Sequence, residues 1–152
     1  MSDHERFMRM ALAEAQQAAQ EGEIPVGAVL VMNGEVIASA HNRREQLHDP
    51  TAHAEILVLR AGAEKLKDRR LSQCTLYTTL EPCPMCAGAM VMAKLGACIF
   101  GASDERQGCC GSVYALTRDP SFFWRLSSTG GLLVEESQAL LNTFFARRRQ
   151  DD

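Results

Sequence analysis

Cys74-Thr75-Leu76-Tyr77-Thr78-Thr79-Leu80-Glu81-Pro82-Cys83-Pro84-Met85-Cys86 changes structural character at its midpoint. Its first seven residues, rich in Thr, Leu and Tyr, suit a strand. Glu81-Pro82 breaks that strand, and the spacing predicts a helix from about Cys83 to Lys94. Gly96 stops the helix, and Ala97 to Gly101 reads as a short strand. Strand, helix and strand in close succession demand a parallel crossover.

Upstream, Val26 to Met32 is a β-branched, apolar run, followed by Asn33-Gly34, a strong signal for a tight hairpin turn. Glu35 to Ala40 then returns antiparallel. His41 to Asp49 is polar and aperiodic, so a loop is expected, and Asp49-Pro50-Thr51 is a helix-start signal. That helix is predicted to run to about Lys65, with Ile56, Leu59 and Ala63 on one face and His53 in its first turn. Before the hairpin, Asp3 to Glu21 carries Phe7, Met10, Ala11, Ala15 and Ala18 at helical spacing. After Gly101, Ala102 to Ser112 reads as a glycine-rich loop, Val113 to Leu116 as one helical turn, and Pro120 to Gly131 as irregular. Leu132 to Glu135 is expected as a short final strand and Ser137 to Arg149 as the last helix. The order gives an α/β fold: residues 1–152 form a single three-layer α/β/α domain with a mixed five-stranded sheet, an antiparallel first hairpin and then parallel strands.

The composition suits such a domain. The chain has 152 residues, 46% hydrophobic and 23% charged, with a net charge of -3, ordinary values for a globular protein with one core. No apolar run approaches the ~20 residues of a membrane span, and the N-terminus has no signal-peptide core. A cytoplasmic protein is therefore expected. In that reducing compartment the six cysteines favour metal binding or burial over disulfides. Cys74 and Cys98 sit in strand-like runs and read as core. Cys109-Cys110 lies in the glycine-rich loop with no assigned role. The acidic balance disfavours a nucleic-acid partner unless charge is uneven; Arg43-Arg44, Arg69-Arg70 and Arg147-Arg148-Arg149 are the basic clusters.

The chemistry concentrates in His53-Ala54-Glu55 and Cys83-Pro84-Met85-Cys86. Two cysteines three apart at a helix start project from one side, and the helix N-terminus favours their thiolate form. With one imidazole they make a three-ligand set that suits zinc and leaves a tetrahedral position open. Ideal helix geometry turns His53 and Glu55 about 200° apart, which suits one ligand and one nearby proton carrier. Two other readings stay open. A fourth ligand among Cys74, Cys98, Cys109 or Cys110 makes a closed structural zinc site, and a lone Cys-x-x-Cys also suits a redox pair.

His-x-Glu followed by Pro-Cys-x-x-Cys resembles the signature of the zinc-dependent nucleobase deaminases. Three longer stretches, Pro25 to Val31, His48 to Ile56 and Thr79 to Met90, are similar to the bacterial tRNA-specific adenosine deaminases. So are Phe100-Gly101-Ala102-x-Asp104 and Gly108-x-x-Gly111-Ser112, and the likeness spans nearly the whole chain. Pro84, where the family often has valine, and Cys109-Cys110, in place of smaller residues, depart from the pattern. The resemblance implies a cytidine deaminase-like fold and a homodimer that converts adenosine to inosine at the wobble position of an arginine tRNA. It implies one Zn2+ per subunit on His53, Cys83 and Cys86, with Glu55 as the acid/base. It further implies substrate contacts from Asn42, Asp104, Phe145 and Arg149 to a tRNA anticodon stem-loop. Deamination of free guanine or cytosine and a non-catalytic zinc-binding subunit are the rival readings.

Overall fold

The computed structural model describes residues 2–151. Helix α1 (Asp3–Gln20) starts where the Ser2 hydroxyl accepts the Glu5 N–H at 3.1 Å, which satisfies one of the orphan donors of the first turn. Strands β1 (Gly27–Met32) and β2 (Glu35–His41) form the expected hairpin. Asn33 and Gly34 both adopt positive φ, 52° and 78°, as a two-residue turn matched to strand twist requires. A short helix, α2 (Arg44–Leu47), lies inside the segment expected to be a plain loop. Its first turn is satisfied from elsewhere: the buried Glu23 carboxylate accepts the N–H groups of Glu45 and Gln46 at 3.1 and 2.8 Å.

Helix α3 (Ala54–Leu66) begins later than the Asp49-Pro50 signal predicts. Asp49 does not cap it; its Oδ1 accepts the N–H and the hydroxyl of Thr51, closing a local turn that competes with helix. His53 is thus the residue flanking the helix start. Strand β3 (Cys74–Leu80), helix α4 (Pro84–Met92) and strand β4 (Ala97–Ala102) follow the expected order. The C-terminal quarter departs further. The single helical turn is a 3-10 turn at Leu116–Arg118, and the last strand is β5 (Ser127–Thr129), not Leu132 to Glu135. Helix α5 (Val134–Asp151) has already begun where that strand was expected.

The sheet order is β2-β1-β3-β4-β5. β1 is antiparallel to both neighbours, and β3, β4 and β5 are parallel. Consequently β2, β3, β4 and β5 share one direction and β1 alone is reversed. Alternation along the strands splits the core in two. Val29, Val31 and Tyr77 pack with Phe7, Met8 and Ala11 of α1 and with Leu132 and Leu133, just before α5. Ala28, Leu30, Leu76 and Cys98 face the other way, onto Val58 and Leu59 of α3 and Met90 and Val91 of α4. Each large side chain removed from water here contributes roughly 1.5–3 kcal/mol. No helix among the described residues is long and apolar enough to cross a membrane.

Candidate metal centre and substrate cleft

One edge of the sheet collects the ends that matter. Because β2, β3 and β4 run the same way, Asn42, Glu81 and Asp104 all follow the carboxyl ends of strands. The reversed β1 brings Ile24 and Val26 to the same edge through its amino end. In open α/β sheets this crevice is where ligands bind. A cleft open to solvent at its mouth lies there, lined by these residues with Arg44, His53, Glu55, Cys83 and Gln107.

Its floor is built from two helix starts. His53 precedes α3 and Cys83 precedes α4, both in extended conformation and neither side chain spent on capping its helix. Cys86 sits one turn into α4, wholly buried. Pro84 occupies the first position of α4, where a missing N–H costs nothing. The three donor atoms lie within 4.8 Å of one another. His53 Nδ1 is 3.6 Å from Cys83 Sγ and 3.5 Å from Cys86 Sγ. A tetrahedral zinc with ordinary Zn–S and Zn–N lengths needs N···S edges of about 3.6 Å, so the donor set fits that ion. No fourth side chain joins the group among the described residues: the grouping contains His53, Cys83 and Cys86 only.

The protons of the cluster are arranged for displacement by a cation. Hydrogen bonding with Cys86, reinforced by His53, overcomes burial and holds the Cys83 thiol down to about 4. Cys86 is pushed far up, by its hydrogen bond with Cys83 and by burial. His53 is raised, chiefly by its hydrogen bond with Cys83. A metal that takes this set must release such protons. Glu55, in the first turn of α3 and 4% exposed, is a different case. Burial pushes its carboxyl up to about 7, where a group both accepts and gives a proton at neutral pH.

Among the residues expected to meet substrate, Asn42 and Asp104 line the cleft, whereas Phe145 and Arg149 lie on α5, outside its lining. Asn42 is buried; its amide nitrogen donates to the Ile24 carbonyl and its oxygen accepts the Arg44 N–H. One amide hydrogen remains for a ligand. On α5 the Phe144 and Phe145 rings meet edge to face, and the Arg148 guanidinium lies over Phe144. Arg44, Gln107 and Glu81 are cleft residues that pattern reading missed. Only the clustering of Arg43-Arg44 singled out any of them.

A family model for the cytidine and deoxycytidylate deaminase zinc-binding region matches residues 1–102. The chain is 44% identical over 150 residues to the tRNA-specific adenosine deaminase of Bacillus subtilis, covering 99% of this chain and 93% of that one. It is 42% identical over 147 residues to the protein of the same name from Aquifex aeolicus, covering 97% of each. A solved structure from work on adenosine-to-inosine editing by tRNA deaminases at the wobble position superposes with a TM-score of 0.87 at 42% identity, covering 90% of this chain and 99% of that one. The guanine deaminase of Nitrosomonas europaea superposes with a TM-score of 0.81 at 26% identity, covering 93% and 84%. On its matched motif region and its full-length likeness together, the chain belongs to the cytidine and deoxycytidylate deaminase family, on the branch of the tRNA-specific adenosine deaminases.

Proposed function

We propose that the protein hydrolyses adenosine to inosine and ammonia at the wobble position of a tRNA anticodon, that of an arginine tRNA first. The observation that carries this reading is a buried acid, Glu55, set beside a three-donor cluster with no fourth side chain, at the floor of a cleft. The full-length likeness to tRNA-specific adenosine deaminases supports the substrate.

His53, Cys83 and Cys86 would hold one zinc ion per subunit. Bound there, zinc supplies a Lewis acid that makes water acidic enough to attack near neutral pH. Glu55 takes the proton that the attacking water gives up and delivers it to the purine ring nitrogen. It then takes the proton of the hydroxyl added at the attacked carbon and passes it to the amine, so that the carbonyl of inosine forms as the C–N bond breaks and ammonia leaves. Asn42 offers its free amide hydrogen to the nucleoside and fixes its orientation. Asp104 also lines the cleft; its Oδ1 accepts the N–H groups of Arg106 and Gln107, leaving its second oxygen for a ribose or base donor. Phe145 and Arg149 on α5 would meet the rest of the stem-loop by stacking and phosphate pairing. The wobble base lies in a single-stranded loop, so unstacking it costs little. The whole chain acts as one catalytic domain, as a homodimer in the cytoplasm.

The test is inosine formation in an arginine anticodon stem-loop carrying adenosine at the wobble position, with guanosine there as control. Deamination of free guanine or cytosine while that RNA stays unchanged refutes the proposal. The likeness to a guanine deaminase structure makes that the competing result to watch.

A further inference from the structure

Glu81 lies between the strand that ends at Leu80 and the thiol of Cys83, and it is 2% exposed. Nothing in the proton chemistry above uses it. Its carboxylate is fully engaged by one loop. Oε1 accepts the Asp104 N–H at 3.0 Å and the Ser112 hydroxyl. Oε2 accepts the N–H groups of Cys110 and Ser112, each at 3.0 Å. A single group thus ties both ends of the segment 104–112. The loop is also fastened to the neighbouring backbone, where the Cys109 N–H donates to the Pro82 carbonyl at 2.8 Å. Gly108 presses against the same carboxylate: a Cβ there would collide with the Glu81 carboxyl and with the Asp104 carbonyl.

We propose that Glu81 is a positioning residue that fixes the Asp104–Ser112 loop as one wall of the cleft, in register with the metal ligands two and five residues further along its own backbone. The loop brings Asp104 and Gln107 to the cleft. Four donors converge on Glu81 and no acceptor does, so an acceptor-only group is required. A carboxamide of the same size keeps one oxygen and turns an NH2 against two of the donors. Leaving such donors unmet inside a protein is costly, and the loop is then released from its place. The consequence for catalysis rests on the reading of this cleft as the tRNA site: substrate affinity suffers while the metal and Glu55 stay in place.

The experiment compares full-length, zinc-loaded wild type with Glu81→Gln. Losing bonds to a charged acceptor corresponds to a change of about tenfold or more. Trypsin cleavage after the exposed Arg106 and alkylation of the buried Cys109 should each quicken by about that factor. KM for the stem-loop should rise about tenfold, with kcat changed far less and zinc content unchanged. Gly108→Ala, which pushes on the carboxylate from the other side, should do the same. Ser112→Ala, which deletes only the hydroxyl's bond, should give a smaller change of the same sign and serves if the first variant does not fold. Unchanged cleavage and alkylation overturn the proposal, and so does loss of zinc or a fall in kcat with KM constant. If wild type leaves the stem-loop unedited, the proposed function fails by itself; the cleavage and alkylation rates still decide for or against Glu81.

Discussion

Replacing Glu55 by Gln should separate two properties that usually fall together. Activity on the stem-loop is expected to drop by about 10²–10⁴-fold, the ordinary contribution of a placed acid/base, because the carboxamide neither takes nor returns a proton. Zinc content should not change, since the donor group is His53, Cys83 and Cys86. The fold, in contrast, should gain. Burial raises the Glu55 carboxyl from its ordinary 4.5 to about 7. For a carboxyl raised in this way the folded state binds the proton more tightly than the unfolded state does. Stability therefore falls as pH climbs between those two values, and above the upper one the full cost remains. At 1.36 kcal/mol per unit the cost is about 3 kcal/mol in metal-free protein, an upper bound because the carboxamide also buries polar atoms. In a chain of this size that is a gain of at most roughly 6–12 °C in Tm for the Gln variant. Differential scanning fluorimetry of chelator-treated wild type and variant, from about pH 8 down to about pH 4.5, should show the gap and then its closure. A variant that is less stable than wild type at the upper pH, or that loses zinc when metal is supplied, refutes the assignment.

Three further outcomes follow from the same structure. Cys86→Ala should lose its zinc, measured by elemental analysis of dialysed protein, and Cys83→Ala likewise, because two remaining donors make a poor site. Leu30→Ala should destabilise the fold by about 2–5 kcal/mol in urea unfolding, since the side chain is wholly buried on the α3 face of the sheet. His41 lies between Glu14 and Glu21, at 2.6 and 2.9 Å. Burial pulls its imidazole down, but the hydrogen bonds to those carboxylates outweigh it and leave it raised above 6.5. Its contribution is therefore complete below that value and disappears as pH rises through the higher folded-state value. Wild type should lead His41→Gln in Tm by about 1–3 °C near pH 6 and lose that lead by about pH 9, the small size reflecting solvent screening.

Period and punctuation sufficed where a side-chain pattern drives the fold. The hairpin at Asn33-Gly34, the strand Cys74–Leu80 and the turn into α4 at Pro84 carry apolar alternation or breaker chemistry and lie where expected. β5 does not: Ser127, Ser128 and Thr129 join the sheet only by pairing with β4 at its edge, and nothing in three polar residues announces that. The start of α3 was misplaced because Asp49 has two uses for its carboxylate, and the local turn won. The grouping of His53, Cys83 and Cys86, with the buried Glu55 in the same cleft, was legible because metal chemistry restricts residue type and spacing together. Glu23 and Glu81 were not. Each is a buried carboxylate serving backbone N–H groups distant in sequence, and no periodicity encodes a partner that only the tertiary fold supplies.

Pro84 carries a consequence for assembly. Its ring fixes φ near −65° in the one residue that follows Cys83 and opens the turn leading to Cys86. The spacing of the two sulfurs is thereby narrowed while the chain is still unfolded, before the sheet forms. Under the proposed zinc reading, two of the three donors are then partly arranged by local geometry alone, and docking of the two helix starts has only His53 left to add.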